Sequence, residues 1–324
     1  MKTWNENRII GSGIISAVEK YLGGQVVDIK DKGQWVRHHY EVTLDTRSKI
    51  IFKLITNEEW SVIAHESNVI NMLKQYDLPA PEIIAIDDTC ELIPYPYTIQ
   101  RYFGGIRLGQ VLETATEEEK ILLFKALGDF YRRLHAIKGR KSGLWDENDP
   151  YQTRYPVSPN DYMLQAEIIN GSGKMALEEG VITRKQYVEV IKLWQENLDY
   201  LKDHEPVMIH VSPFYWNIYF DKTTSWKIRK IMSLGDVMWW DKAYDIATLK
   251  YPPFGKYDPD LWREFIKTYG EEPDEKRLLL YALMHRLCSA MGVYMEPKGY
   301  DREALKKSLS NDIEEIINRI GALD

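Results

Sequence analysis

Cysteine is scarce in this sequence, and the few cysteines lie far apart. Cys90 and Cys288 are the only two among 324 residues, and their spacing matches no metal-ligand pattern. This scarcity excludes a disulfide scaffold and a zinc site built on cysteine. We expect both residues to be buried thiols.

Long apolar runs and an excess of positive charge are also missing. No apolar run approaches the length of about 18 residues that a membrane span needs, and Met1–Ile10 has no continuous apolar segment typical of a signal peptide. The net charge is −7, which disfavours nucleic acid binding because such proteins need a basic surface. We therefore predict a cytoplasmic protein with neither a membrane nor a nucleic acid as partner. The sequence leaves the oligomeric state open.

The N-terminal third has the pattern of strands around one main helix. The alternating residues 36–44 and the apolar segment Lys49–Ile55 predict an antiparallel hairpin. Glu58–Gln75 has apolar residues at helical spacing and ends shortly before two prolines. Ile83–Ile86 and Tyr97–Tyr102 predict two further strands.

The rest of the chain is mainly helical in pattern. Helices are predicted over Glu117–Ile137, Asp161–Glu179, Thr183–Lys202 and Asp260–Ile320, with short strands between residues 207 and 234. We therefore predict an α+β fold with a small antiparallel-sheet lobe over residues 1–103 and a larger helical lobe over residues 104–324.

A charged residue lies in the middle of an apolar predicted strand. Lys53 would need a partner if its ammonium were shielded from water, and Glu66 on the following helix can supply one. Kinases use such a Lys and Glu pair to position the α and β phosphates of the nucleotide. The alternative is a lysine at the edge of the sheet that points to solvent.

The segment from His210 to Asn217 has the spacing of a kinase catalytic loop but lacks its carboxylate. His210 and Asn217 are in place, and Ser212 stands where the aspartate is expected. In such a loop Asn217 would bind a metal ion, and residue 212 would orient the acceptor hydroxyl. The alternative is a turn between two strands, in which these side chains bond only to the backbone.

Three later aspartates complete the pattern. Asp236 ends an apolar segment, and together with Asn217 it offers the oxygen ligands that Mg²⁺ prefers. A solvent-exposed turn is the alternative for Asp236. Asp241 and Asp245 lie one helical turn apart at the start of a predicted helix, and we expect them to be structural anchors.

The order of these motifs resembles the aminoglycoside phosphotransferase family, whose fold is similar to that of protein kinases. The resemblance also rests on Leu127–His135 in the central helix, the prolines of Leu78–Pro81, the segment Gln100–Gly105, and Gly235–Asp236 followed by Asp245–Ala247. It implies a bilobal, protein-kinase-like fold.

The resemblance also implies the binding partners and their residues. Lys53, supported by Glu66, would contact the phosphates of ATP or another nucleoside triphosphate, and Mg²⁺ would be the metal. The base would lie against the backbone of Arg101, Tyr102 and Phe103, under a loop that keeps only Gly33 of the family's glycines. The acceptor would be a small molecule that is cationic or rich in hydroxyl groups.

Ser212 and His210 occupy the catalytic positions that the resemblance implies. A serine hydroxyl cannot accept a proton as a carboxylate does, so a factor of about 10² to 10⁴ in rate should be missing. Two functions are therefore predicted as alternatives. One is a slow phosphotransferase acting on a small-molecule hydroxyl, and the other is an inactive pseudokinase that binds a nucleotide or a small ligand.

Overall fold

The computed structural model describes residues 4–32, 37–55, 61–146, 149–222, 226–251, 258–294 and 301–323. These residues form the predicted α+β architecture, with an antiparallel sheet in the N-terminal part and mainly helices in the C-terminal part. The apolar cores follow the same division, since one buried cluster lies on the sheet and a larger one lies among the helices.

A five-stranded sheet forms the N-terminal lobe. Its strands are β1 (Val26–Asp31), β2 (Arg37–Leu44), β3 (Lys49–Ile55), β4 (Ile83–Asp87) and β5 (Tyr97–Arg101). The spatial order is β1-β2-β3-β5-β4, and every pair is antiparallel. The predicted hairpin corresponds to β2 and β3, so Lys53 lies in the central strand of the sheet.

Two helices accompany this sheet, and the first was not predicted. Helix α1 (Trp4–Leu22) packs four buried side chains onto the sheet at helical spacing, namely Ile10, Ile14, Ala17 and Val18. Helix α1 was not predicted because the first residues of the chain are mostly polar and the apolar face of the helix begins only at Ile10. Helix α2 (Ser61–Gln75) is the predicted main helix and carries Glu66.

The C-terminal lobe contains the remaining helices. They are α3 (Leu108–Thr114), α4 (Glu117–Leu134), α5 (Ser172–Glu178), α6 (Arg184–Lys202), α7 (Ala243–Lys250), α8 (Pro259–Tyr269), α9 (Glu275–Cys288), α10 (Ala290–Tyr294) and α11 (Arg302–Gly321), with a π-helical segment at Asn160–Asn170. Thr116 and Thr183 begin α4 and α6 with capping boxes, which explains why these two helices start where the pattern predicted.

One predicted helix is divided in two. The prediction ran from Asp161 to Glu179, but the π-helical segment ends at Asn170 and α5 begins at Ser172. Gly171 lies between them with φ −111° and ψ −120°. A Cβ at this position would approach the carbonyl oxygen of Ala166 to 2.6 Å, so the close passage of the backbone requires glycine.

Two small sheets connect the helices. Strands β6 (Ile106–Arg107), β10 (Ile218–Lys222) and β11 (Trp226–Ile231) form one, and β7 (Gly143–Trp145), β8 (Thr153–Pro156), β9 (Val207–Ile209) and β12 (Met238–Trp240) form the other. The β10-β11 hairpin faces the cleft between the lobes and positions most of the candidate site.

Both cysteines are free and partly exposed rather than fully buried. Among the described residues, no helix is both long enough and apolar enough to span a bilayer.

Candidate active site

The central strand of the N-terminal sheet carries an ion pair into the cleft. Lys53 is 2% exposed and its Nζ donates to Oε2 of Glu66, which is 4% exposed. The lysine cannot be the solvent-facing residue of the alternative interpretation. A buried ammonium requires a charge partner, and α2 supplies it with Glu66.

A second buried lysine approaches the same cleft from the C-terminal lobe. Lys230 of β11 is 2% exposed, its Nζ lies 3.3 Å from Oε1 of Gln100, and it lies 3.6 Å from the ring centroid of Phe103. Burial lowers the pKa of Lys230 to about 7; the charge of Glu66 opposes this shift and that of Lys53 adds to it. The cleft therefore contains two lysine side chains beside one glutamate.

Sequence reasoning missed Lys230, although the signal was present. Strand β11 alternates buried and exposed residues, with Trp226 and Ile228 buried and Lys227 and Arg229 exposed. This period of two puts Lys230 on the apolar face of the strand. A lysine on such a face is a candidate for a functional site, because an ammonium is costly to bury.

The loop before β10 is held in place by a buried carboxylate. Asp245 of α7 accepts the backbone N–H of His210 at 2.6 Å and that of Val211 at 2.8 Å. Val211 has φ 66°, a left-handed conformation that is costly for a β-branched residue. The two hydrogen bonds to Asp245 hold the loop in this conformation.

His210 lies inside the protein with both ring nitrogens engaged. Its Nδ1 is 3.1 Å from the hydroxyl of Tyr131, and its Nε2 is 2.6 Å from the carbonyl oxygen of Met232. Burial lowers the pKa of His210, although the charge of Asp245 opposes the shift, so the imidazole is neutral near pH 7. This geometry makes His210 a positioning residue that connects the loop to the segment after β11.

Ser212 and Asn217 lie at the two ends of one short turn. The side-chain amide of Asn217 donates to the carbonyl oxygen of Ser212 at 3.0 Å, and the N–H of Met232 donates to the carbonyl oxygen of Asn217 at 2.8 Å. The second bond continues the β10-β11 ladder, in which Ile218 pairs with Ile231. Asn217 is thereby fixed at the end of the hairpin.

The hairpin brings Ser233 close to Asn217, whereas Asp236 lies three residues further along the chain. Ser233 directly follows Met232, the residue bonded to Asn217, and has φ 65° and ψ 42°. Asp236 ends a short 3₁₀ turn (Leu234–Asp236), and its Oδ2 lies 3.4 Å from Oγ of Ser233. Sequence reasoning missed Ser233 because it looked only for carboxylates.

These side chains offer the right kind of donor for Mg²⁺ but few carboxylates. Amide, hydroxyl and carboxylate oxygens are the ligands that this ion accepts, and Asn217, Ser233 and Asp236 supply one of each. Over the part of the chain that the structure describes, no group of three or more His, Cys, Asp and Glu residues could hold a metal ion.

The predicted base-binding segment follows β5. The N–H of Arg101 donates to the carbonyl oxygen of Glu82 at 2.9 Å, and its Nε donates to the carboxylate of Glu82 at 2.7 Å, so this N–H is already engaged. Tyr102 lies beside Lys49, and Phe103 lies between Lys230 and Tyr219. Gly33 and the loop assigned to cover the nucleotide lie outside the described residues.

The aromatic residues after Ser212 form a packed group. The rings of Phe214 and Trp216 are stacked with centroids 4.7 Å apart, and Tyr215 packs against α3. A Cβ on Gly109 of α3 would lie 2.7 Å from Cδ2 of Tyr215. The aromatic group therefore packs against α3 and directly follows Ser212 in the chain.

Asp241 lies away from the cleft, at the start of α7. Its Oδ1 accepts the N–H of Ala243 at 2.9 Å, and its Oδ2 accepts from Arg277 at 2.6 Å and from Tyr281 at 3.0 Å. These contacts attach α7 to α9. Asp241 thus connects the start of α7 to α9, whereas Asp245 bonds to the loop before β10.

This arrangement of lobes, ion pair and loop is that of a kinase-like phosphotransferase. The model of the Phosphotransferase enzyme family matches residues 31–281, which span both lobes and all of these side chains. The chain belongs to this family. No curated protein matches the sequence of the chain.

Solved structures of aminoglycoside phosphotransferases have the same fold over nearly the whole chain. The ternary complex of APH(2″)-IIa with streptomycin and ATP superposes with a TM-score of 0.65 at 17% identity, covering 98% of this chain and 99% of that one. The GDP complex of aminoglycoside 2′-phosphotransferase-IIIa gives 0.66 at 12% identity, with coverages of 97% and 99%. ADP-bound APH(2″)-Ib gives 0.63 at 17% identity, with coverages of 94% and 96%. At these identities the likeness establishes the fold, and it confirms the prediction of a bilobal kinase-like architecture.

Proposed function

We propose that this chain binds a nucleoside triphosphate in the cleft beside Lys53 and transfers its γ-phosphate slowly to a hydroxyl group of a small molecule. The buried ion pair of Lys53 and Glu66 carries this proposal. Burying two charges is costly, and the pair contributes little net stability in return. Positioning nucleotide phosphates is the use that kinase-like folds have for such a pair.

The other groups of the cleft take roles consistent with the fold. The backbone of Arg101, Tyr102 and Phe103 would contact the base, while Asn217 and Asp236 would hold Mg²⁺. The metal would supply charge neutralisation at the phosphates. Solved members of the fold contain ATP, ADP or GDP, which supports a nucleotide as the first substrate.

The acceptor in this proposal is a small molecule that is cationic or rich in hydroxyl groups. The streptomycin and gentamicin complexes of APH(2″)-IIa support an acceptor of this general size. The net charge of −7 favours a cationic one through long-range attraction. The stacked rings of Phe214 and Trp216 would lie along its path to Ser212.

Ser212 sets the expected rate. Without a carboxylate to accept the hydroxyl proton, transfer should be slower by a factor of about 10² to 10⁴. It should not be abolished, because positioning and charge stabilisation provide most of the catalysis in phosphoryl transfer.

The same serine favours a second candidate function. In this alternative the chain is an inactive pseudokinase that binds a nucleotide or a small ligand and acts through its conformation. Saturation at about 100 times the dissociation constant would then stabilise the fold by about 2.7 kcal/mol without turnover.

One experiment separates the two candidates. The purified protein is incubated with Mg-ATP or Mg-GTP and a panel of amino-sugar, amino-alcohol and sugar acceptors, and release of the diphosphate is followed. Lys53→Ala serves as the control. A rate above that of the control supports the phosphotransferase, whereas equal rates combined with a thermal shift support the pseudokinase.

A gain-of-function variant tests the role of position 212. Ser212→Asp restores the expected carboxylate on a backbone that Asp245 already holds in place. We expect turnover to rise by about 10² or more. An unchanged rate, together with unchanged nucleotide binding, would contradict the proposed transfer and favour the pseudokinase.

A further inference from the structure

The end of the cleft where the base would lie contains the ammonium of Lys230. Its Nζ lies 3.3 Å from Oε1 of Gln100 and 3.6 Å from the ring centroid of Phe103, and these residues flank Arg101 and Tyr102. Lys230 is 2% exposed, so its side chain is buried beneath these residues rather than at the protein surface.

The partners of Lys230 are weak for a buried cation. Glu66 accepts from Lys53 and attracts Lys230 only at longer range, whereas the direct contacts of Lys230 are with a neutral amide oxygen and an aromatic face. Burying an ammonium with partners of this kind is costly. A ligand that brought a further acceptor to Nζ would offset part of that cost.

Below its pKa of about 7, Lys230 carries an ammonium group, which has three donors and no acceptor. It therefore distinguishes purine bases at the C6 position. Guanine carries the carbonyl oxygen O6 there, which accepts a hydrogen bond, and hypoxanthine has the same group. Adenine carries an amino group at this position, which donates. Two donors that face each other in a buried site both lack an acceptor. The free-energy cost of such unpaired groups exceeds the free energy that a matched hydrogen bond contributes.

We propose that Lys230 makes this cleft selective for nucleotides of 6-oxopurines, guanine and hypoxanthine, over those of adenine. Nζ of Lys230 donates to the C6 carbonyl oxygen while it keeps its contact with Gln100. The inference rests on the proposed nucleotide binding and specifies which base is bound. A hydrogen bond from a charged donor in a buried site gives a preference of about tenfold to 100-fold.

The test compares three nucleotides that carry the same phosphates. Binding of Mg-GTP, Mg-ITP and Mg-ATP to the full chain is measured by titration calorimetry at pH 6, where Lys230 is protonated, and at one salt concentration. GTP and ITP are expected to bind about tenfold or more tightly than ATP. ITP lacks the amino group of guanine, so agreement between GTP and ITP assigns the preference to the C6 carbonyl.

Two variants link the preference to Lys230. Lys230→Met keeps the length and apolar stem of the side chain but removes the donors, and it is expected to bind all three nucleotides with similar affinity. Lys230→Arg keeps donors and is expected to keep the preference. Circular dichroism and thermal unfolding establish whether each variant is folded. If a variant is not folded, the relative affinities of the wild-type protein for GTP, ITP and ATP decide whether the base preference exists.

The outcomes separate this inference from the function on which it rests. If ATP binds the wild-type protein as tightly as GTP, the base preference is refuted and nucleotide binding stands. If no nucleotide binds the wild-type protein, the proposed function fails. Binding of all three to Lys230→Met but not to wild type would mean that Lys230 fills the base position, which also overturns the inference.

Discussion

At the scale of single residues, the candidate site contains three buried ionisable side chains on β3, β11 and α2. Lys53 enters from β3 and Lys230 from β11, and Glu66 lies near both. A lysine whose pKa falls on burial binds its proton more weakly in the folded chain than in the unfolded one. Folding stability then depends on pH in a window set by that shift.

Lys230 gives the first prediction, a rise of stability with pH. The pKa of Lys230 is lowered from 10.5 to about 7, so between these values the unfolded chain binds a proton that the folded chain does not. The cost of burying the charge is fully present below about pH 7 and is relieved as the pH rises towards 10.5. The free energy of unfolding of wild type relative to Lys230→Met should rise by about 1.4 kcal/mol per pH unit above pH 7.

Urea unfolding of both proteins at pH 6, 7.5 and 9 measures this difference. Subtracting the value for the variant removes the contributions of titrating groups that do not interact with Lys230. Glu66 and Lys53 do interact with it, so the measured difference includes their response. A difference that stays constant over this range would contradict the prediction.

At the scale of elements, α7 holds the loop that contains Ser212. Asp245 is fully buried and accepts two backbone N–H groups of the loop, and His135 of the segment after α4 lies 3.2 Å from its Oδ2. One carboxylate thus joins two helices to the strained backbone at Val211. The geometry of the site depends on α7 although this helix does not reach the nucleotide.

The second prediction concerns this carboxylate. Asp245→Asn removes the charge and turns one acceptor into a donor that faces backbone N–H groups. We expect the free energy of unfolding to fall by about 2 to 4 kcal/mol. Asp129→Asn, an exposed acid that pairs with Arg132 on α4, is the matched control and should change stability by less than about 0.5 kcal/mol. Equal effects of the two substitutions would refute the anchoring role.

The sequence was sufficient for elements whose signals are local. The β2-β3 hairpin and helices α4 and α6 follow from alternation and from capping residues such as Thr116 and Thr183. It was insufficient where the determining contact is distant in the chain. The break at Gly171 depends on a close backbone passage, and the engagement of His210 depends on Tyr131 and Met232. The predicted lobe boundary between residues 103 and 104 stays a prediction.

At the scale of the whole molecule, α2 belongs to both lobes. It follows β3 in the chain and carries Glu66 to Lys53, yet its buried residues Val69, Ile70 and Leu73 pack in the core of the C-terminal lobe. A boundary drawn along the sequence assigns this helix to the sheet. Packing joins it to the helices, so any motion of the lobes must involve α2.

His65 of α2 makes the polar contact that gives the last prediction. Its Nε2 is 2.8 Å from the carbonyl oxygen of Val237, the residue after Asp236. The same helix therefore positions Glu66 at the phosphate end and holds the segment of the candidate metal ligand. His65→Ala removes this link without touching any predicted ligand of the nucleotide. Since a hydrogen bond of this kind contributes about 1 kcal/mol, the dissociation constant of Mg-nucleotide should rise by about fivefold.

The control for this substitution is Asn71→Ala, which lies on the exposed face of the same helix and should leave nucleotide binding unchanged. Helical content and thermal unfolding of both variants separate a loosened link from a loss of the helix. If His65→Ala binds nucleotide as tightly as Asn71→Ala does, the segment of Asp236 is held independently of α2. The packing of Val69, Ile70 and Leu73 would then connect the two halves of the candidate site. In that case substitutions of these three apolar residues, rather than His65→Ala, should weaken nucleotide binding.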